Sequence, residues 1–172
     1  PMQAAWTGLA VLTALAGAVD AQVVTQDAVL VPFGAQPQDE VATSVALQGD
    51  TLFLGCPWLV NGRVAWYERV GGVWSEAGQL QSGLGGSNQF GRDVALDGET
   101  LVVGTFDTAG VRVFRRVGAA WVDSAALPQP PGILGGYGSC VAIDGDTLAV
   151  GSPTSLITYP GAACVWQLIG ST

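Results

Sequence analysis

The chain has 172 residues, of which 49% are hydrophobic and only 12% are charged, so it can form a buried core and is not a disordered polypeptide. Its formal net charge is −8 and it contains no Lys, which opposes binding to nucleic acid or to an anionic membrane surface, because both need clustered cations. His is absent as well, which removes the commonest general base and any Ser-His or Cys-His pair.

The N-terminal segment is an apolar run of small residues. Residues 4–18 form this run, and residues 19–21 end it with Val-Asp-Ala ahead of Gln22, as in the cleavage region of a secretory signal. We therefore predict a signal peptide over residues 1–21 and a secreted or cell-surface protein. A buried strand or helix is the alternative, because no Lys or Arg precedes the run. A membrane span is disfavoured, because it needs roughly 20 apolar residues.

The next feature is a motif that occurs three times. Its copies are residues 45–55 (VALQGDTLFLG), 94–104 (VALDGETLVVG) and 141–151 (VAIDGDTLAVG). Each copy consists of two apolar runs, and Asp97-Gly98, Asp144-Gly145 and, less ideally, Gln48-Gly49 are placed as the central residues of a type I′ hairpin. Apolar residues at almost every position indicate strands that are covered on both faces. We predict that each copy forms two antiparallel strands, A and B.

Two further strands are predicted after each motif. Strand C is assigned to residues 64–71, 111–118 and 163–170. Trp66, Phe114 and Trp166 recur at one strand C position, or nearly so, and we interpret them as packing between sheets rather than as a sugar platform. Strand D follows in the first two copies, where Trp74 and Trp121 each precede a Leu by six positions.

The segment of residues 22–31 has the length and Leu placement of strand D. Leu30 stands nearly as far before its motif as Leu80 and Leu127 stand before theirs. The chain after the signal peptide therefore has the order D-ABC-D-ABC-D-ABC. In this order the first strand can complete the last sheet and remove an exposed edge.

These residues resemble the FG-GAP repeat of integrin α-chain head domains and of many bacterial surface proteins. The matches to FG are Phe90-Gly91 and Tyr137-Gly138, and the matches to GAP are Gly55-Cys56-Pro57 and Gly151-Ser152-Pro153. The first copy departs from the pattern with Val41-Ala42 in place of FG. The second copy departs with Gly104-Thr105-Phe106 in place of GAP.

The resemblance covers residues 22–172 and implies an all-β fold of β-propeller blades, each with four antiparallel strands. It divides the chain into a strand D at residues 22–31 and repeats at residues 41–81, 90–128 and 137–172. Propellers usually have 4 to 8 blades, so three repeats indicate a fragment of a larger propeller, with self-association as the less favoured alternative.

Integrin-type members of the family carry an Asp-rich calcium loop between strands A and B. The links here are short hairpins that cannot place six to eight oxygens around an ion, so we expect no calcium, and no other cofactor is predicted. Cys56, Cys140 and Cys164 have no paired spacing, which argues against zinc. Cys140 and Cys164 are predicted on strands A and C of one repeat, about 9.5 Å apart and too far for a disulfide.

The candidate site is predicted on the links that do not repeat. The B-to-C and D-to-A links emerge on one face, and loops held by rigid strands commonly carry function. The predicted ligand-binding residues are Trp58, Asn61, Phe106, Asp107 and Tyr159. The repeated Asp97 and Asp144 are interpreted as turn residues and not as catalytic acids.

The function that follows is a non-enzymatic module for recognition or adhesion. Its expected partner is an extracellular protein or glycan, with no nucleic acid and no membrane insertion of the mature chain. The alternative is a non-catalytic or substrate-facing portion of a larger secreted hydrolase or lyase. The family likeness alone does not decide between them, because one fold hosts many activities.

Overall fold

The computed structural model describes residues 25–58, 62–83, 89–106, 110–133, 135–153 and 160–170. The regular elements of these ranges are strands: β1 Ser44–Gln48, β2 Thr51–Cys56, β3 Arg63–Val70, β4 Val73–Leu80, β5 Val94–Asp97, β6 Thr100–Val103, β7 Val111–Val117, β8 Ala120–Leu127, β9 Cys140–Asp144, β10 Thr147–Ser152 and β11 Ala162–Gln167. The predicted all-β class is confirmed. The predicted signal peptide lies outside the described residues. None of the residues described forms a helix long and apolar enough to cross a bilayer.

The strands form three antiparallel sheets of consecutive strands. Sheet 1 has the order β1-β2-β3-β4, sheet 2 has the order β5-β6-β7-β8, and sheet 3 has the order β11-β10-β9. Sheet 2 lies between the other two, because one apolar core joins it to sheet 1 and a second core joins it to sheet 3. Strand β5 contacts both β1 and β9.

Aromatic and branched side chains fill the two cores. The core between sheets 1 and 2 includes Phe53, Trp66, Phe90, Leu101 and Phe114. The core between sheets 2 and 3 includes Val102, Val111, Val113, Tyr137, Leu148 and Val150. All four residues of β6 are buried, as predicted for a strand covered on both faces, whereas its equivalent in sheet 3, β10, alternates between buried residues and more exposed ones. The expectation of two covered faces therefore holds for sheet 2 and not for sheet 3.

The turn of each A–B hairpin lies one residue later than predicted. Asp97 pairs with Thr100, so the two-residue loop is Gly98-Glu99 and not Asp97-Gly98. Gly98 has a φ of +55°, whereas the φ of Glu99 is not positive. A positive φ at the first loop position alone is the pattern of a type II′ turn, in which Gly occupies that position. The hairpins of sheets 1 and 3 have the same register and also begin their loops with Gly at positive φ.

The strand predicted at residues 22–31 is not formed in its described part, residues 25–31. Leu30 instead packs on the outer face of sheet 1, beside the cluster that contains Leu54 and Tyr67. Sheet 3 therefore has three strands, and β11 is its edge. The physical reason is distance. Sheet 1 follows this segment directly in the chain, whereas β11 lies beyond sheet 2.

The predicted equivalence of three aromatic residues on strand C needs one correction. Tyr67, Phe114 and Trp166 occupy the same register position, each opposite a Leu of strand B. Trp66 lies one residue earlier than this position and therefore points to the other face of its sheet. Trp66 and Phe114 still meet in one core, and Trp166 packs against the other, so the interpretation as packing residues is confirmed.

The three cysteines are free thiols in the structure. Cys140 lies on β9 and Cys164 on β11, with β10 between them, which confirms their predicted placement on the first and third strands of one repeat. Cys56 is buried in sheet 1, and burial raises the pKa of its thiol above the ordinary value. Cys140 is exposed.

Candidate functional site

The three sheets have two distinct ends, which we call the turn end and the loop end. At the turn end, Gly98 donates its N–H to Gln48 Oε1 at 2.9 Å, and Gly145 donates its N–H to Asp97 Oδ2 at 2.6 Å. Each bond joins the A–B hairpins of two successive sheets. Asp97 therefore acts as a link between sheets as well as a turn residue. The loop end is the opposite end, where β2, β6 and β10 finish.

At the loop end, each aromatic–Gly dipeptide fits closely against the preceding sheet. Phe90 and Tyr137 are fully buried. A Cβ atom on Gly91 would lie 2.6 Å from a backbone carbonyl oxygen of sheet 1, and a Cβ atom on Gly138 would lie 2.6 Å from one of sheet 2. Both glycines also have a φ near +90°, which residues with a Cβ atom rarely adopt. The two glycines thus permit the close approach of successive sheets.

The glycine that ends each motif completes this contact. The carbonyl oxygen of Gly91 lies where a Cβ atom on Gly55 would be, and the carbonyl oxygen of Gly138 lies where a Cβ atom on Gly104 would be. The aromatic–Gly dipeptide of one repeat therefore packs against the glycine that ends the motif of the repeat before it. The sequence showed that these glycines recur, but the pairing between them became visible only in the structure.

The links before strand A adopt the left-handed conformation on both sides of the aromatic position. The preceding residues Glu40, Gln89 and Gly136 have φ values of +45°, +50° and +68°. In the first link the following residue, Ala42, has a φ of +62°. Residues other than glycine are uncommon in this region, at a cost of roughly 1–2 kcal/mol each. The backbone of the first link thus follows the other two although its sequence departs from them.

Two of the five predicted ligand-binding residues lie in the described ranges. Trp58 follows β2 and is 49% exposed, and Phe106 follows β6 and is 40% exposed. Both lie at the loop end because they follow equivalent strands. No ring contact joins the two within the described ranges. The predicted residues Asn61, Asp107 and Tyr159 lie outside the described residues.

Phe106 has a cationic neighbour that was not predicted from the sequence. The guanidinium carbon of Arg92 lies 5.2 Å from the centroid of the Phe106 ring, within the range of a cation–π contact. Arg92 also donates to Gln89 Oε1 at 3.4 Å. These contacts fix a half-exposed ring beside a positive charge. The available signal was the position of Arg92 directly after the FG dipeptide.

Phe33 is a third exposed aromatic residue at the loop end, with 85% of its surface accessible. Its N–H donates to Glu76 Oε2 at 2.6 Å. Its carbonyl oxygen accepts from Arg63 Nη1 at 3.0 Å and from Gln79 Nε2 at 3.1 Å. The backbone is therefore held at three points while the ring faces solvent. Phe33 was not predicted as a site residue because residues 22–31, just before it, were predicted to form a strand.

Within the described ranges, the titratable groups with a shifted pKa are Cys56, Tyr67 and Tyr137. Burial raises the pKa of Tyr67 to about 12 and that of Tyr137 to about 12. Within the described ranges, no group of three or more His, Cys, Asp or Glu side chains is placed to hold a metal ion. A cleft of about 520 Å³ opens at the turn end, and its lining residues are Glu99, Arg115, Ser124, Ala125, Leu168, Ile169 and Gly170.

Comparison of the chain with known proteins finds no match among protein-family models and none among curated proteins. The functional interpretation therefore depends on the repeat and on the geometry of the loop end.

Proposed function

We propose that the chain is a secreted or cell-surface recognition module that binds an extracellular protein or glycan at its loop end and has no catalytic role. We further propose that its sheets are β-propeller blades of the FG-GAP type. The support for the fold is the contact between the FG and GAP glycines, which recurs in the same sense from sheet 1 to sheet 2 and from sheet 2 to sheet 3. Stacking of successive blades around an axis requires such a repeated contact.

The observation that carries the proposed function is the exposure of aromatic rings at the loop end. Trp58, Phe106 and Phe33 all lie at the loop end with a large part of each ring accessible. Aromatic side chains offer much contact area for little loss of conformational entropy, and they are enriched at the energetic centres of interfaces. A surface built in this way suits recognition of a partner.

The chemistry of the surface indicates the class of partner. Ring faces pack against the apolar faces of sugars and against apolar side chains of proteins. Arg92 beside Phe106 adds a planar donor that suits carboxylate or hydroxyl oxygens. Both features fit a glycan or an extracellular protein, and the charge of −8 does not favour nucleic acid.

The test is a binding screen of the full chain against a glycan array and a panel of extracellular proteins. We expect the Trp58→Ala/Phe106→Ala double variant to lose at least tenfold in affinity for whatever the unaltered chain binds. The matched control is Val70→Ala/Val117→Ala, which removes two exposed apolar residues outside the loop end and should leave affinity unchanged. Equal binding by both variants, or no binding by the unaltered chain, contradicts the proposal.

A further inference from the structure

One face of sheet 3 exposes positions that are buried in the other sheets. Val165 lies opposite Ala149 and is 71% exposed. Its register equivalents in sheets 1 and 2, Trp66 and Val113, are buried against the next sheet. We call this surface the open face, and it consists of Cys140, Ala142, Asp144, Ala149, Ala163 and Val165.

In sheets 1 and 2, side chains at strand A accept hydrogen bonds from the sheet that follows. The equivalent side chains of sheet 3 make no such bond within the described ranges. In sheet 2, Asp93 Oδ2 accepts the N–H of Val141 at 2.8 Å, and Asp97 Oδ2 accepts the N–H of a hairpin glycine at 2.6 Å. The equivalent residues of sheet 3 are Cys140 and Asp144. Both are exposed, and neither bonds to another sheet in the described part of the chain.

Gly151 is a further position at which sheet 3 matches sheets 1 and 2. It is the equivalent of Gly55 and Gly104, each of which receives the carbonyl oxygen of an aromatic–Gly dipeptide from the following sheet. A Cβ atom on Gly151 would instead meet the side chain of Cys140, which belongs to its own sheet. The site for an aromatic–Gly carbonyl is therefore present in sheet 3.

We infer that the open face binds a further sheet of the same repeat type, which places an aromatic–Gly dipeptide against Gly151 and a hairpin N–H against Asp144. The inference extends the two interfaces already present within the chain and does not depend on the proposed recognition function. The occupant also brings large side chains, because Ala149 occupies the position of Phe53 in sheet 1 and of Val102 in sheet 2.

A second copy of this chain does not meet these requirements. The occupant would have to present its sheet 1, which has Val41-Ala42 in place of the aromatic–Gly dipeptide. At the equivalent positions of sheets 2 and 3, a Cβ atom would lie 2.6 Å from a carbonyl oxygen of the preceding sheet, so the methyl group of Ala42 does not fit. Leu30 and Val41 also pack on the outer face of sheet 1 and cover part of it. The outer face of sheet 1 therefore lacks the fit that the open face of sheet 3 requires.

The test extends the chain by one repeat. A copy of residues 121–172 is added after Thr172. Because Gly170 is the equivalent of Gly118, the Trp121 of the copy then stands three residues after Gly170, as Trp121 stands three residues after Gly118. Both added cysteines are replaced by Ser. The rate of alkylation of Cys140 by iodoacetamide is followed by mass spectrometry in the 172-residue chain and in the extended chain. We expect at least a tenfold fall in the extended chain, because the added sheet covers Cys140.

The control is the extended chain with the Gly138→Ala change in the added copy only, which should restore fast alkylation. An unchanged rate in the extended chain overturns the inference, whether or not the added repeat resists proteolysis. Protection of Cys140 in the 172-residue chain that rises with concentration, together with a dimer mass in light scattering, shows a second copy on the face and also overturns it. Protection at every concentration shows that the chain covers its own face, with the same consequence.

Discussion

Sheets 2 and 3 share a motif but differ in their surroundings. In sheet 2, β6 is buried at all four positions, because sheets 1 and 3 cover it from both sides. In sheet 3, the equivalent strand β10 exposes Thr147 and leaves Ala149 partly exposed, although its first four residues differ from those of β6 only at Ala149. The comparison shows that an apolar run makes a strand suitable for burial on both faces, while the neighbouring sheet determines whether burial occurs.

The largest difference is expected between apolar residues of the two environments. Phe53 is fully buried between sheets 1 and 2, where it stacks with Trp66 and meets Trp121 edge-on. We expect Phe53→Ala to lower the free energy of unfolding by about 4 kcal/mol, measured by urea denaturation. Val165→Ala on the open face should change it by less than about 0.5 kcal/mol. Similar losses in the two variants would mean that the open face is covered in solution.

Equivalent glycines provide the next test. Gly104→Ala forces a methyl group onto the carbonyl oxygen of Gly138, a backbone atom that cannot move away easily. We expect a loss of roughly 3 kcal/mol in the free energy of unfolding. Gly151→Ala meets only the Cys140 side chain, which can rotate into solvent, so its loss should stay below about 0.5 kcal/mol. A large loss at Gly151 would refute the comparison.

The hairpin links should show a smaller contrast. Asp97→Ala removes the acceptor of the Gly145 N–H and should cost about 1 kcal/mol, because the bond is exposed to solvent. Asp144→Ala removes the equivalent carboxylate of sheet 3, which bonds to no other sheet within the described ranges, and should be close to neutral. Thermal unfolding of both variants at equal concentration measures the difference. Equal shifts in Tm would show that Asp97 acts within its own hairpin only.

The smallest effect is expected at the first link. Ala42 has a φ of +62°, and Ala42→Gly relieves this strain, which should raise the free energy of unfolding by somewhat less than about 1 kcal/mol. Ala142 lies in a regular strand, so Ala142→Gly should lower it by roughly 0.5–1 kcal/mol. Urea denaturation at low protein concentration measures both. A loss of stability in Ala42→Gly would show that its methyl group makes a contact that outweighs the strain.

Much of the fold could be predicted because the motif combines two kinds of local information. Apolar runs of strand length and a glycine between them were sufficient to locate β1, β2, β5, β6, β9 and β10. The turn was misplaced by one residue because Asp-Gly fits a type I′ loop, whereas register places Gly98 first in the loop. The strand predicted at residues 22–31 is not formed at residues 25–31, because a strand needs a partner, and that partner is set by packing that the sequence does not show.

The candidate site was predictable only in part. Placement after strand B was enough to predict the exposure of Trp58 and Phe106. The contact of Arg92 with Phe106 joins different parts of the chain and depends on how the links fold. The backbone of Phe33 is held by side chains from β3 and β4, which follow it by 30 to 46 positions in the sequence. Such contacts leave no local pattern for a sequence analysis to detect.

The methyl group of Ala42 has a consequence for solubility. A molecule with complementary surfaces at its two ends can polymerise head to tail into fibres, because such contacts need not close. Ala42 prevents the first sheet of one molecule from fitting the last sheet of another, so this head-to-tail growth is blocked. Replacement of Ala42 by Gly would then gain stability in the isolated molecule and remove a barrier against filament growth.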